Sequence, residues 1–207
     1  MNAWEPAGVS RRWFLGSVVA AAAGITTTTG GQTVPALRAL NVLGPRTPGV
    51  GSGLQALPVN RTSGAARVSA AALSSDYRLR VTGAVARPLE LTRAELEDQA
   101  RYTVDLPLTC VEGWSVGARW TGLRLRDLLL SAGARPGSDV RVESLEARGA
   151  YRTSYVDGSH AWSRSTVLAT AVDGRRLDLD HGYPLRLLAP NRPGVLQTKW
   201  LGEVVVL

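Results

Sequence analysis

The only cysteine of the chain, Cys110, is the side chain best suited to chemistry, and it follows a segment of alternating polarity. Tyr102–Leu108 has the two-residue period of a half-buried strand, and a Gly- and Trp-rich stretch comes after the cysteine. A strand that ends in a cysteine and enters a shaped loop presents the sulfur at a sheet edge, where ligands and nucleophiles are common. A lone cysteine is also often a buried structural residue. This segment alone therefore leaves a functional and a structural thiol equally open.

Residue counts exclude two kinds of site. A disulfide framework needs paired cysteines, and a structural zinc site needs about four Cys or His ligands. The chain has one cysteine and two histidines, His160 and His181. Whatever Cys110 does, it does without a second cysteine of this chain.

Three chemistries remain for the thiol. A nucleophile needs a histidine base, and Leu-Pro-Leu-Thr-Cys loosely resembles the cysteine strand of sortases, with His181 or His160 as partner. Sortases carry that histidine upstream of the cysteine, and here both histidines follow it. A redox sensor needs a resolving cysteine. A ligand to a soft or high-valent metal needs one thiolate, provided that an organic cofactor supplies the other donors.

Several separated motifs bear on this third possibility. They are Cys-Val-Glu-Gly-Trp-Ser from Cys110, Trp-Thr-Gly-Leu from Trp120, Leu-Arg-Asp-Leu-Leu from Leu125, Tyr-Arg-Thr-Ser-Tyr from Tyr151, His-Gly-Tyr-Pro-Leu-Arg-Leu from His181, then Gly194 and Lys199-Trp200-Leu201. In order and spacing this set resembles the molybdopterin domain of the sulfite oxidase superfamily. It is similar in particular to the bacterial branch of exported catalytic subunits that includes the periplasmic protein-methionine-sulfoxide reductase. The resemblance covers Asn60 to Leu207.

The resemblance implies a Mo-molybdopterin cofactor with Cys110 as the only protein ligand to molybdenum. It places cofactor contacts at Asn60, Ser63, Gly64, Ser144, His181, Arg186, Gln197, Thr198 and Lys199. Arg186 and Lys199 would bind the cofactor's phosphate, because a phosphate-bearing ligand needs positive charge in its pocket. Arg119 and Arg152 are candidates for a substrate-side arginine cluster, and His160 is expected at the surface. Trp114 and Trp120 are expected to pack around the metal loop, and Glu112 to be a structural hydrogen-bond partner.

The same resemblance implies an oxidoreductase that transfers an oxygen atom to or from a small sulfoxide, sulfite-like or related substrate. A single cysteine excludes a Cys-x-x-Cys-His haem motif, so electrons are expected to pass to or from a membrane or extracytoplasmic protein. Two alternatives stay open: a sortase-like Cys/His transferase, and a non-catalytic binding module on the same fold.

The charge of the chain is positive and consists almost entirely of arginine. Of 24 basic residues only Lys199 is lysine, and the net charge is +7. The arginines are spread among acidic residues without a basic run, and no nucleic-acid motif is present. We therefore expect no nucleic acid partner. A solvated arginine-rich surface is the default interpretation, with a cationic cleft for an anionic ligand as a possibility.

The N-terminal segment predicts export. Ser10-Arg11-Arg12-Trp13-Phe14-Leu15 matches the twin-arginine pattern, and the apolar part that follows, Trp13 to Ile25, is shorter than the roughly 20 residues of a membrane span. We expect the twin-arginine translocase as a partner and a periplasmic or other extracytoplasmic location. The lack of a clean Ala-x-Ala site leaves cleavage and retention as an anchor both open. That route serves proteins that fold before export, commonly around a cofactor.

The remaining chain divides into a linker and one domain. Residues 1–36 are the signal or anchor, 37–56 a flexible linker rich in Gly, Pro and small residues, and 57–207 the oxidoreductase domain. Periodicity predicts strands at Tyr77–Val85, Tyr102–Leu108, Val140–Leu145, Val167–Val172, Leu185–Leu188 and Val204–Leu207. It predicts helices at Thr92–Gln99, from a capping box, and at Leu125–Ala132, with Gly133 as the stop. Asp173-Gly174 predicts a hairpin turn.

Strands outnumber helices in this scheme and do not alternate with them regularly. That pattern is typical of a compact α+β domain with a mixed sheet rather than a doubly wound nucleotide fold. It agrees with the molybdopterin-binding fold that the resemblance implies.

Overall fold

Two five-stranded sheets form the framework of the domain. The structure, a computed structural model, describes residue 55 and residues 57–68, 74–109 and 115–207. All of these belong to one compact unit. The predicted signal, nearly all of the predicted linker, and the loop from Cys110 to Trp114 lie outside the described residues.

The first sheet has the strand order β2-β1-β10-β5-β6. Its strands are β1 (Arg78–Gly83), β2 (Leu89–Thr92), β5 (Val140–Ser144), β6 (Thr153–Val156) and β10 (Leu201–Val206). β1 and β10 run parallel, with Arg80 opposite Glu203, and the other pairs are antiparallel. The sheet is therefore mixed, as predicted.

The second sheet has the order β3-β4-β7-β8, and β9 also pairs with β7. Its strands are β3 (Tyr102–Thr109), β4 (Ser115–Arg124), β7 (Val167–Val172), β8 (Arg175–Arg176) and β9 (Arg186–Leu188). All of these pairs are antiparallel. A Cβ at Gly122 would lie 2.0 Å from the Leu168 carbonyl oxygen, so only glycine permits the close approach of β4 to β7.

Four short helices and two 3₁₀ turns complete the described residues. The helices are α1 (Ser63–Ala66), α2 (Arg93–Asp98), α3 (Leu125–Ser131) and α4 (Gly158–Ala161), and the turns are Leu179–His181 and Gly194–Leu196. Short helices beside mixed sheets confirm the α+β prediction. No helix of the described residues is long and apolar enough to span a membrane.

Local signals in the sequence are visible in these elements. β1 buries Leu79 and Val81 and exposes Arg78 and Arg80, as its alternation predicts. α2 begins with the predicted capping box, in which the Thr92 hydroxyl accepts from the Glu95 amide and the Glu95 carboxylate accepts from the Thr92 amide. Gly133, at φ +71°, follows α3 and ends it.

The main correction concerns β4. The Gly- and Trp-rich stretch between Cys110 and Leu125 is expected to be a loop, whereas Ser115–Arg124 is a ten-residue strand. Its glycines, Gly117 and Gly122, resemble loop residues, but Ala118 and Trp120 alternate inward and are buried. Strands β2, β6 and β8 are also absent from the prediction, because short edge strands carry little periodic signal.

The apolar core has two parts. The larger lies around β1, β5, β10 and α3 and includes Leu79, Val142 and Leu129, each fully buried. The smaller lies on the other side of β7 and includes Trp120, Val167 and Leu188. Neighbouring residues of β7 and β9 point to different parts of the core, so the second sheet is covered on both faces at that point.

Candidate cofactor site

Most of the predicted cofactor residues lie on four segments that the fold brings together. These segments are the entry segment (Asn60–Ala66), the end of β5 with Ser144, the 3₁₀ turn ending at His181, and the chain from β9 to Lys199. Side chains hydrogen-bond directly between segments more than 100 residues apart, as from Lys199 to the Arg61 carbonyl. We call the chain from His181 to Lys199 the closing segment.

Lys199 forms hydrogen bonds with three other segments of the site. Its Nζ donates to the carbonyl oxygens of Asp180 at 2.7 Å and of Arg61 at 2.9 Å. The Ser144 hydroxyl donates to the Lys199 carbonyl oxygen at 2.8 Å. The Asp180 carboxylate accepts from both the amide and the hydroxyl of Ser63, at 2.7 and 2.8 Å. The fold thus brings Ser63, Ser144 and Lys199 together, with Asp180 bonded to both Ser63 and Lys199.

His181 and Arg186 form the buried wall of the site. They are 1% and 2% exposed, and Arg186 Nη1 donates to the His181 carbonyl oxygen at 3.1 Å. The Arg186 guanidinium carbon lies 5.5 Å from the centre of the Trp120 ring, within cation–π range. Gly182, at φ +111°, allows the turn to pack on Lys199, since a Cβ there would lie 3.2 Å from Lys199 Cα.

Thr198 and Gln197 continue this wall. The hydroxyls of Thr198 and Ser154 are 3.1 Å apart, and the Thr198 carbonyl accepts from the Leu187 amide. Gln197 Nε2 donates to the Arg192 carbonyl oxygen at 2.9 Å. Both side chains are buried, so the closing segment places a continuous row of polar groups at the domain interior.

Asn60 and Gly64 lie at the exposed side of the entry segment. A Cβ placed on Gly64 would meet nothing within 4 Å. Between them, the Arg61 side chain forms an ion pair with Glu146 at 3.1 Å and also donates to the Arg148 carbonyl oxygen. The entry segment is therefore anchored through the Arg61 side chain as well as through Ser63.

The positive side chains of the site are poorly compensated. Burial lowers the pKa of Arg186 to about 10. Burial, with the charge of Arg186, lowers the pKa of Lys199 to about 7. Burial, reinforced by Arg186 and Lys199, lowers the pKa of His181 to about 4, so its imidazole is neutral at pH 7. Such shifts indicate that the site favours an added negative charge.

The same region holds buried polar atoms without partners. Both ring nitrogens of His181, Nε of Arg186 and Oε1 of Gln197 have no hydrogen-bond partner among the described residues. Buried groups of this kind are normally paired, and their concentration here points to a missing polar ligand. A large anionic ligand with many donors and acceptors, such as a phosphate-bearing pterin, fits these residues.

Cys110 itself lies outside the described residues, together with Glu112 and Trp114. The strands on either side of it are described: Thr109 ends β3, Ser115 begins β4, and their hydroxyls are 3.0 Å apart. The closing segment passes against this point, because a Cβ on Gly194 would lie 2.8 Å from the Thr109 carbonyl oxygen. The strand end that leads to Cys110 is therefore next to the closing segment.

Two of the other candidates lie beside the site: the Arg152 carbonyl oxygen accepts from the Ser144 amide at 2.8 Å, and the Trp120 ring lies next to Arg186. Arg119 is exposed and pairs with Asp105 through two nitrogens, at 2.9 and 3.3 Å, on the outer face of β3 and β4. Arg152 is exposed, and His160 bonds Asp157 on α4 at 2.7 Å, partly exposed as expected. Trp120 is fully buried in the smaller part of the core; the loop that it is expected to pack around lies outside the described residues. The described residues contain no cluster of three or more His, Cys, Asp or Glu side chains that could hold a metal ion.

Sequence reasoning missed Asp180, Arg61 and Glu146. Asp180 precedes His181 directly and Arg61 follows Asn60 directly, so both were adjacent to residues already selected. Their roles depend on contacts with distant segments, which only the folded chain reveals.

Comparison with known proteins gives matches of three kinds. Residues 65–207 match the family model described as oxidoreductase molybdopterin binding domain. Sulfite oxidase of Gallus gallus is 34% identical over 160 residues, covering 64% of this chain and 35% of that protein. NADH nitrate reductase of Hordeum vulgare is 33% identical over 164 residues, covering 63% and 18%.

A solved structure is similar as well. The crystal structure of the sulfane dehydrogenase SoxCD from Paracoccus pantotrophus matches with a TM-score of 0.55 and 25% identity, covering 64% of this chain and 38% of that one. The match covers well under half the length of each of these relatives.

Proposed function

The chain belongs to the oxidoreductase molybdopterin-binding domain family, and from this membership we propose that it is an exported molybdenum oxidoreductase that transfers an oxygen atom to or from a small sulfoxide, sulfite-like or related substrate. The predicted resemblance to the sulfite oxidase superfamily is confirmed, and so are the fold and Mo-molybdopterin as the cofactor. The substrate, the redox partner, the export route and the role of each site residue are the proposed part.

The observation that carries the proposal is the burial of the poorly compensated basic groups of Arg186 and Lys199 on the chain segment that also holds unpartnered atoms of His181 and Gln197. Positive groups that are costly to bury alone become favourable against a bound anion. Arg186 and Lys199 would bind the phosphate of the cofactor, and His181, Gln197 and Thr198 would hydrogen-bond its polar parts.

Cys110 would be the protein ligand to molybdenum. The strand end at Thr109, the residue before Cys110, lies against Gly194 of the closing segment, and this contact between described residues supports the proposal. A single thiolate suffices because the cofactor carries the other soft donors. When bound, the cofactor supplies the two-electron chemistry of oxygen transfer, and the chain supplies position and charge.

The buried wall would orient the cofactor and exclude water. Trp120 is fully buried beneath Arg186, and the Ser154–Thr198 pair is buried next to it. Trp120, Ser154 and Arg186 lie on strands β4, β6 and β9, so they offer a preorganised wall against which Thr198 is held. Electrons would leave or enter through a membrane or extracytoplasmic partner protein.

Metal and pterin analysis of protein purified from a molybdenum-competent host tests this function. We expect about one molybdenum and one pterin per chain, and a Cys110 thiol that resists alkylation until the cofactor is removed. The variant Cys110→Ser should fold but lose bound molybdenum. Protein from a host without molybdenum is the control for alkylation. A native protein with neither molybdenum nor pterin, and with a freely alkylated Cys110, would contradict the proposal.

Export is tested separately. Replacing both Arg11 and Arg12 by lysine should keep the protein in the cytoplasm, because the twin-arginine route reads the arginine pair. Fractionation with immunodetection measures this, and replacement of the nearby Arg38 and Arg46 by lysine is the matched control. Unchanged export of the Arg11/Arg12 variant would remove the export part of the proposal.

Family membership favours the oxidoreductase over the sortase-like transferase. A peptide electrophile that captures Cys110 covalently, with loss of capture in His181→Ala, would reverse that preference. A protein that retains its cofactor but shows no turnover with any artificial electron donor would instead be the non-catalytic binding module.

A further inference from the structure

The entry segment is held to the domain on two sides. On one side Arg61 pairs with Glu146, and the Ala147 amide donates to the Ala66 carbonyl oxygen at 3.2 Å. On the other side, next to the cofactor site, the bonds run through Asp180. Its carboxylate oxygen Oδ1 accepts two hydrogen bonds from Ser63, and its main-chain oxygen accepts one from Lys199.

These bonds form a closed ring. Lys199 Nζ joins the carbonyls of Asp180 and Arg61, the chain runs from Arg61 to Ser63, and Ser63 returns to the Asp180 side chain. We call this ring the Asp180 clamp. It joins three chain segments, and its only carboxylate is that of Asp180. Truncating that side chain would leave the Ser63 amide unpaired and release one side of the ring.

We propose that Asp180 is a positioning residue: it holds the entry segment against Lys199 and so slows the release of the bound cofactor. Asp180 does not have to touch the cofactor for this. It fixes Ser63 and, through the ring, the place of the Lys199 ammonium group. The effect on cofactor release rests on the proposed function, whereas the clamp consists of hydrogen bonds within the chain itself.

Two variants separate the clamp from a general loss of stability. Asp180→Ala removes the acceptor for Ser63, and Asp180→Asn keeps an acceptor oxygen of the same shape. The matched control is Asp139→Ala, which removes another carboxylate-to-amide bond, the one from the Gly158 amide at 2.6 Å, in a different part of the domain.

Hydrogen exchange over residues 57–68 and amine labelling of Lys199 read out the clamp in ligand-free protein. Lys199 is the only lysine, so reductive methylation with labelled formaldehyde reports one side chain besides the N-terminal amine. Losing hydrogen bonds to a charged acceptor should raise both rates at least roughly tenfold in Asp180→Ala. Asp180→Asn should restore most of the protection, and Asp139→Ala should leave both rates unchanged.

Cofactor release is measured on the loaded protein. After dilution into a pterin scavenger, molybdenum and pterin should leave Asp180→Ala at least roughly fivefold faster than the unaltered chain. This factor is smaller than the one expected for exchange and labelling, because Asp180 acts on the cofactor only through the clamp. Asp180→Asn should release at nearly the unaltered rate.

Several results would overturn the proposal. The first is an Asp180→Ala protein whose exchange and labelling rates equal those of the unaltered chain, and the second is an Asp139→Ala protein whose rates rise as much as those of Asp180→Ala. The third is an Asp180→Asn protein whose rates are as high as those of Asp180→Ala. The fourth is faster exchange and labelling in Asp180→Ala without faster cofactor release. If Asp180→Ala does not fold, Ser63→Ala removes one bond of the ring and should raise the same two rates by a smaller factor. A wild-type protein without molybdenum would overturn the proposed function while the exchange and labelling still test the clamp.

Discussion

The core around β1, β5 and β10 and the cofactor site differ in what they bury. In the core, Leu79, Val142 and Leu201 are completely buried among other apolar side chains. In the site, His181 and Arg186 are equally buried but keep polar atoms without partners among the described residues. The core is stable through its own contacts, whereas the site leaves part of its polar bonding to a ligand. Stability and binding are therefore separable in this domain.

The largest expected effect lies in the core. Leu79→Ala should lower the free energy of unfolding by about 2–5 kcal/mol, because it removes buried methyl groups and leaves a cavity. Urea unfolding of the ligand-free protein measures this. The control is Leu130→Ala, whose side chain is 49% exposed and whose replacement should change stability by roughly 0.5 kcal/mol or less.

The same pair of variants tests the separation. Cofactor content per folded molecule should stay the same in Leu79→Ala. A selective loss of molybdenum at unchanged folded fraction would show that the core and the site are not separable.

The next effect lies in the site, where a substitution should weaken cofactor binding without lowering the stability of the ligand-free protein. Arg186→Met should lower cofactor affinity at least roughly thirtyfold, since it removes the buried charge that we propose binds the cofactor's phosphate. The ligand-free protein should keep or gain stability, because a buried charge with a single hydrogen bond is costly. Equilibrium binding and urea unfolding give the two values, and Arg175→Met, in the exposed strand β8, is the control. A ligand-free Arg186→Met that is several kcal/mol less stable would contradict the comparison.

The smallest effect is a pH dependence. The pKa of Lys199 is about 7 in the folded chain and about 10.4 when unfolded. Between these values the unfolded chain binds a proton that the folded chain does not, so stability rises with pH. We expect ligand-free protein to gain roughly 1–2 kcal/mol more than Lys199→Met between pH 7 and 10, after allowance for partial solvent screening.

Bound cofactor should reduce this rise, because its negative charge favours the ammonium form. Parallel thermal melts of loaded and ligand-free protein across that pH range provide the measurement. The same slope in the ligand-free chain and in Lys199→Met would mean that Lys199 is not the group responsible.

Local sequence patterns were sufficient for much of the fold. The alternation of β1, the capping box of α2 and the leucine spacing of α3 each act within one element, and the structure confirms them. The pairing of β1 with β10 has no local signal, because its partners are distant in sequence. β4 was mistaken for a loop since Gly117 and Gly122 serve close packing between strands, which a single sequence does not reveal.

In the site, too, some residues have a signal in the sequence and others depend on contacts between distant segments. Arg186 and Lys199 were found through family motifs, and the structure adds that they are buried and poorly compensated. Asp180 and Arg61 were missed because their partners, Ser63 and Lys199, are 117 and 138 positions away. No periodicity or spacing carries that information.

The parallel pairing of β1 with β10 also restricts the order of assembly during folding. Arg80 and Glu203 face each other across this pair at 123 positions apart, so closing it fixes a long loop and is slow. The residues from Ser144 to Lys199 lie inside that loop. We therefore expect these residues to reach their final places after β10 has docked, and cofactor loading to be a late event that follows the docking of this single strand.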